Sequence, residues 1–292
     1  MKVASATIAA IGTAALAFVL FTAGYFVCQL PITTHILSQN TSNYEDSPYA
    51  LDDLNALAMA SRDYTVDPRP AGMSTEEART TFNTVLMNAA THSATRYLNV
   101  AKTDANELNQ GKKQIWSSMM DKLGKSRPND AFGQEDVNAV AAQMAAVGDS
   151  FALNDEAFSH LDDCNALINR IVPMVPIAGV IALICFTLLL VLRRWRALAR
   201  MLTVAPLVLI VAFAFMASWA IVDFSSFFAS FHGVFFPQGN WTFSYESLLI
   251  CMYPSAFWMA MGALWLAGTA IASIIVLAIG LKFTRVADRK EQ

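Results

Sequence analysis

The stretch IVPMVPIAGVIALICFTLLLVLRRWR, residues 171–196, decides the fold. Residues 171–192 of it carry no charge, and Arg193, Arg194 and Arg196 end it abruptly. A helix needs roughly 20 apolar residues to cross about 30 Å of hydrocarbon. Residues 3–28, 201–222 and 256–281 are equally long, apolar and uncharged. The chain has 292 residues, 55% of them apolar and only 15% charged, with a mean hydropathy of +0.41. Soluble domains average about 25% charged residues. The shortage lies in these four blocks, while residues 29–170 read as an ordinary polar domain. A cleaved signal peptide is the alternative for the first block. Its apolar run exceeds the roughly 7–15 residues of a signal core, and no Ala-x-Ala site follows cleanly. Tyr25-Phe26-Val27 also lack the small residue that a lipidation site at Cys28 requires. The block is predicted to be an anchor.

Lysine and arginine predict the orientation, because short positive segments stay in the cytoplasm. Lys2 precedes the first span, Arg193, Arg194, Arg196 and Arg200 fill the turn at 193–200, and Lys282, Arg285, Arg289 and Lys290 mark the tail at 282–292. All three fall on one side of an even number of spans. The expected fold is therefore an all-α membrane protein with both termini cytoplasmic. Four transmembrane helices (3–28, 171–192, 201–222 and 256–281) carry a mostly helical extracytoplasmic domain at 29–170. A shorter, aromatic-rich outer segment covers 223–255. The outer regions hold more Asp and Glu than Lys and Arg, which excludes a nucleic-acid partner. Pro173, Pro176 and Pro206 fall in the first turns of their spans, where proline is tolerated. Cys28, Cys164, Cys185 and Cys251 show no disulfide spacing, and no CxxC or His/Cys cluster points to zinc. No metal and no soluble cofactor is expected.

Within the outer domain, residues 33–48 read as a polar entry. A helix begins near Pro48 and runs to about Tyr64, and Pro68, Pro70 and Gly72 break it. Ser74 and Glu77 have the spacing of a capping box. Phe82, Val85, Leu86 and Ala89 continue that helix at helical spacing. Ile115, Met119 and Leu123 mark a third helix, 125–133 a loop, and Glu135 the start of a short Ala-rich helix reaching Gly148. His92 reads as an exposed surface histidine.

Two histidines stand out. His160 precedes the second span, in Ser159-His160-Leu161-Asp162-Asp163. On a helix His160 and Asp163 share a face, and a carboxylate on one imidazole nitrogen fixes the tautomer. His232 follows the third span, in Phe231-His232-Gly233-Val234-Phe235-Phe236. Phe224, Phe227, Phe228, Phe231 and Phe235 make an apolar stripe if that segment is helical. Residues 233–243 read as turn or strand. An ionisable group held at membrane depth is a functional candidate by default. The bland reading has one histidine bonding a carbonyl and the other capping a helix. Trp241, Trp258 and Tyr253 read as membrane-belt aromatics. Asn240 reads as a turn residue or as a donor to substrate, with the turn favoured.

At these residues the sequence resembles the lipoprotein intramolecular transacylase (Lit) family of bacterial membrane proteins. The similarity lies in His160-Leu-Asp-Asp163, in Phe231-His232-Gly-Val-Phe235-Phe236, in Asn240-Trp241-Thr-Phe243, and in Tyr253-Pro254 followed by Phe257-Trp258. It covers about 1–65 and 154–285, and residues 75–150 look like an insertion. The resemblance implies an acyltransferase of the cell membrane. Its substrate would be a lipoprotein whose N-terminal Cys carries a diacylglyceryl group, and the sn-2 acyl chain would move to the α-amine. His232 would be the main base and acid. His160, oriented by Asp163, would serve the oxyanion or the leaving oxygen, or the two histidines would exchange these roles, with Asn240 and Trp241 in support. Two other readings compete: a metal-dependent lipid or lipoprotein hydrolase using His160, Asp163 and His232 as ligands, and a non-enzymatic multi-pass scaffold.

Overall fold

The computed structural model describes residues 2–133 and 136–291. Helix is the only regular secondary structure among the described residues, which contain no strand. In chain order the helices are α1 (Lys2–Cys28), α2 (Pro31–Thr41), α3 (Leu51–Val66), α4 (Thr75–Leu98), α5 (Glu107–Lys122), α6 (Pro128–Phe132) and α7 (Val137–Val147). There follow α8 (Asp155–Ile171), α9 (Met174–Val191), α10 (Trp195–Val222), α11 (Phe224–Phe235), α12 (Leu248–Met252) and α13 (Ser255–Glu291). Four stretches are long and apolar enough to cross a membrane: Val3–Cys28, Asp155–Val191, Trp195–Val222 and Ser255–Lys290. In the second of these, α8 is amphipathic and the uncharged crossing part is α9. The chain is a multi-pass membrane protein.

The chain divides into two compact units. The first comprises Met1–Leu30, Asn169–Phe231 and Met261–Gln292. Its helices turn apolar side chains outward: Leu183 is 63% exposed, Val211 68% and Phe215 67%. A water-soluble bundle would hide such a surface, whereas lipid favours it. Ala182, Cys185, Leu189, Leu198, Met201 and Leu202 pack inward, around Ala9. Lipid tails are as apolar as leucine, so close backbone approach replaces the hydrophobic drive between such helices. Gly24 supplies it, because a Cβ there would meet the Trp265 carbonyl oxygen at 2.1 Å. Trp265 Nε1 donates to the Phe21 carbonyl at 2.7 Å across the same crossing. The arginine turn is short. Arg193 adopts a positive φ of 53°, and α10 already starts at Trp195. Pro206 therefore sits inside α10 rather than in its opening turns.

The second unit comprises Pro31–Ile168 and His232–Ala260. Its core is aromatic. Trp116 is fully buried, meets Tyr49, Phe132 and Phe151 at ring distances of 5.5–5.8 Å, and donates to the Pro48 carbonyl at 2.8 Å. Lys112 is 1% exposed, and its Nζ serves the carbonyls of Tyr44 and Tyr49 between the rings of Tyr44 and Tyr97. Burial pulls its pKa down to about 8. The Ser74–Glu77 capping box forms in full and starts α4. Asp136 caps α7 through the Ala139 amide, while the expected start at Glu135 lies outside the described residues.

Two expectations for this unit change. Residues 31–41 are helical, because Thr33, Thr34 and Ser38 form a buried small-residue face and α2 packs on α3. The 125–133 loop contains α6, where Pro128 presets the first helical φ and Phe132 reaches the core. Isolated helices this short are unstable in water, so tertiary packing decides them.

Candidate active site

α8 carries the first half of the site. Asn154 caps it by accepting from the Ala157 amide at 2.9 Å. Phe158 packs against Tyr64 and Phe82, at ring distances of 5.5 and 5.6 Å. Asp162 accepts from the Tyr64 hydroxyl at 2.7 Å and from Arg69 at 2.5 Å, with Arg79 at 3.6 Å. These contacts fix the rotation of the helix, which places His160 on another face.

His232 comes from the end of α11. That helix runs through Gly233 to Phe235, further than expected, and of the turn or strand expected for this segment the turn follows it. The chain reverses over 236–241, with Gly239 at a φ of 80°, a conformation that glycine adopts without strain. Trp241 Nε1 donates to the Phe236 carbonyl at 3.2 Å and closes the turn.

The turn brings the two imidazoles together, with ring centroids 5.9 Å apart. Phe236 lies 4.9 Å from the His160 ring and 5.8 Å from the His232 ring. Phe243 flanks His160 at 6.0 Å, and Trp241 flanks His232 at 5.1 Å. His160 is 8% exposed, whereas His232 is half-buried beside the exposed Val234 and Phe235. Burial, and then the neighbouring His232, pull the His160 pKa down to about 4, against a smaller opposing pull from Asp163. His160 is therefore a neutral imidazole at physiological pH. Its Nδ1 is buried and has no partner.

Asp163 does not bond His160. Its Oδ2 accepts from Gln238 Nε2 at 2.7 Å and from Asn240 Nδ2 at 2.8 Å. Spacing on a helix makes residues neighbours, but the His160 ring leans toward Phe236 and Phe243 while the carboxylate reaches the 236–241 turn. Asn240 is thus both a turn residue and a donor. Because the carboxylate accepts only, it fixes the Asn240 amide orientation and leaves Oδ1 buried without a partner. Trp241 packs on the His232 ring at 5.1 Å. Tyr253 is buried too, and its hydroxyl donates to the Ala58 carbonyl. His92 is exposed, as expected, and pairs with Asp53 at 2.9 Å.

Sequence reasoning overlooked Gln238 and Cys164. The amide-rich turn Pro237-Gln-Gly-Asn240 signalled the first. The second stands four residues after His160, and its Sγ lies 3.7 Å from His160 Nε2. Among the described residues no group of three His, Cys, Asp or Glu side chains is placed to hold a metal ion.

No curated protein and no solved structure matches the chain. The family model described as lipoprotein intramolecular transacylase Lit matches residues 72–258. The match takes in the paired histidines and the 236–241 turn, and it runs through residues 75–150, which the resemblance had set apart as an insertion. It covers more than half of the chain, which belongs to the lipoprotein intramolecular transacylase family of membrane proteins acting on lipoproteins.

Proposed function

We propose that this protein moves the sn-2 acyl chain of a diacylglyceryl lipoprotein to the α-amine of its N-terminal Cys, on the extracytoplasmic side of the membrane. The observation that carries this reading is the imidazole pair at 5.9 Å, one ring half-open and one buried and neutral. His232, the accessible ring, takes the proton from the attacking amine. An α-amine has a pKa of about 7.7–8.0, within reach of an imidazole base near neutral pH. The amine nitrogen bonds to the ester carbonyl carbon, and the oxyanion receives the N–H of neutral His160. The carbon–oxygen bond to the glycerol then breaks, and His232 returns the proton to the departing oxygen. Amine and ester belong to one molecule, so holding them in attack geometry supplies much of the acceleration. Asn240 Oδ1 accepts an N–H of the incoming amine, which it can do because Asp163 holds the amide by its other end. The enclosing rings of Phe236, Phe243 and Trp241 part for the substrate and keep water from the reacting ester.

The reaction conserves mass, which gives a direct test. The chain is expressed in cells whose lipoproteins carry the diacylglyceryl group and a free amine, and N-terminal lipopeptides are examined by tandem mass spectrometry. The expected product has unchanged mass, with one acyl chain now fragmenting as an amide. Loss of one acyl chain in mass points to a hydrolase, and an unaltered fragmentation pattern removes the proposed activity.

A further inference from the structure

An imidazole that must donate to an oxyanion needs its proton on the correct nitrogen. In solution the two neutral tautomers exchange, so a buried donor requires a partner that holds the other nitrogen as acceptor. Asp163 was expected to set this choice, yet its carboxylate serves Gln238 and Asn240. The polar contact at the ring's other nitrogen is Cys164 Sγ, at 3.7 Å from Nε2, one helical turn along α8. His160 Nδ1 meanwhile is sealed from water and unpartnered.

We propose that Cys164 is the positioning residue for His160: its S–H donates to Nε2, which keeps the ring proton on Nδ1 as a preformed donor for the oxyanion. This rests on the reading of His160 as the oxyanion donor. Burial, with Asp163 adding to it, holds the Cys164 pKa up at about 12, so the sulfur keeps its proton. The imidazole nitrogen is a good acceptor and the thiol sulfur a poor one, so the bond runs from sulfur to nitrogen. The reverse arrangement would leave Nδ1 without a proton, and a bare lone pair cannot stabilise a developing negative charge. A donor already stripped of water needs no reorganisation as the charge appears.

The test uses full-length protein in lipid nanodiscs, histidine labelled with nitrogen-15, and a synthetic diacylglyceryl lipopeptide. Wild-type His160, assigned by the signal lost in His160→Gln, is expected to show the Nδ1–H tautomer. Cys164→Ser keeps a donor and is expected to keep that tautomer, with transfer within about threefold of wild type. Cys164→Ala is expected to give a tautomer mixture, with transfer lowered roughly 10-fold at unchanged Tm. A Nε2–H tautomer in the wild type overturns the proposal without recourse to any Cys164 variant. So does full transfer by Cys164→Ala, or a drop that tracks a lower Tm while the tautomer stays put. If His160→Ala and His232→Ala both keep full transfer, the underlying reading of the site falls instead, whatever the tautomer.

Discussion

Asp162 and Asp163 are adjacent on α8, and the two faces they occupy are built differently. Asp162 is met by opposite charge and aromatic surface. Arg69 bonds it and Arg79 forms an ion pair with it at 3.6 Å, Arg69 lies 4.8 Å over the Tyr64 ring, and Arg79 lies 4.8 Å over Phe158. Asp163 is met by two neutral amides from a turn distant in sequence. The first arrangement fastens α8 to the domain. The second holds a turn whose rings cover two imidazoles, and it leaves His160 Nδ1 and Asn240 Oδ1 without partners. Arg69 Nε and Arg79 Nε are buried without partners on the first face as well, so what sets the second face apart is the imidazole pair it carries. Substitutions on the Asp163 face should therefore change chemistry, and those on the Asp162 face should change stability.

The largest effect is expected on the site face. His232→Ala and His160→Ala should each lower acyl transfer by at least ~100-fold, the usual loss when a general base or an oxyanion donor is removed. Thermal unfolding should stay near wild type for His232→Ala, whose ring is half-buried, while His160→Ala leaves a cavity beside Phe236 and Phe243 and should lower Tm by much less than it lowers transfer. Equal losses of transfer and of Tm would break the distinction between the faces.

How far these faces were legible in the sequence differs by element. The four spans were readable because length and lack of charge suffice for them. The Ser74–Glu77 cap was readable because its chemistry is local. Pairing of His160 with His232 was suggested by their places beside the outer ends of two spans and by the family resemblance, since helical spacing says nothing about segments that lie far apart in sequence. The partner of Asp163 was misread for the same reason: the i, i+3 rule names helix neighbours, while Gln238 and Asn240 arrive from a turn whose position depends on the whole domain. Tyr253 looked like a belt residue by type, but a buried carbonyl at Ala58 claimed its hydroxyl. Helices α2 and α6 escaped notice because their stability comes from packing.

On the fastening face, Asp162→Ala should destabilise the protein by roughly 2 kcal/mol, because it leaves two half-covered guanidinium groups and the Tyr64 hydroxyl without their acceptor. The measurement is the Tm in detergent, with transfer assayed well below it. Activity per folded molecule should stay near wild type. A smaller effect is expected from Asp163→Ala. Freeing Gln238 and Asn240 loosens the turn and the orientation of the Asn240 amide, so transfer should fall about 10-fold with little change in Tm. If Asp163→Ala proves the more destabilising of the two, the assignment of the faces is reversed.

The smallest effect sharpens the comparison through pH. The His160 pKa falls from 6.5 to about 4 on folding, mainly through burial. Between those values the unfolded chain binds a proton that the folded chain refuses, so acid favours unfolding. The contribution of neutral His160 is thus complete above pH 6.5 and is lost as pH falls toward 4. At pH 5.5 the cost relative to neutral pH should be roughly 1 kcal/mol. Tm measured from pH 7 to pH 5 should fall more steeply in wild type than in His160→Gln, which cannot take up the proton. The Asp162→Ala variant should keep the wild-type slope at a lower Tm, because its loss is an ion pair and leaves the buried imidazole in place. Parallel slopes for wild type and His160→Gln would mean that His160 titrates freely, as a ring open to water would, and the preformed neutral donor would lose its basis.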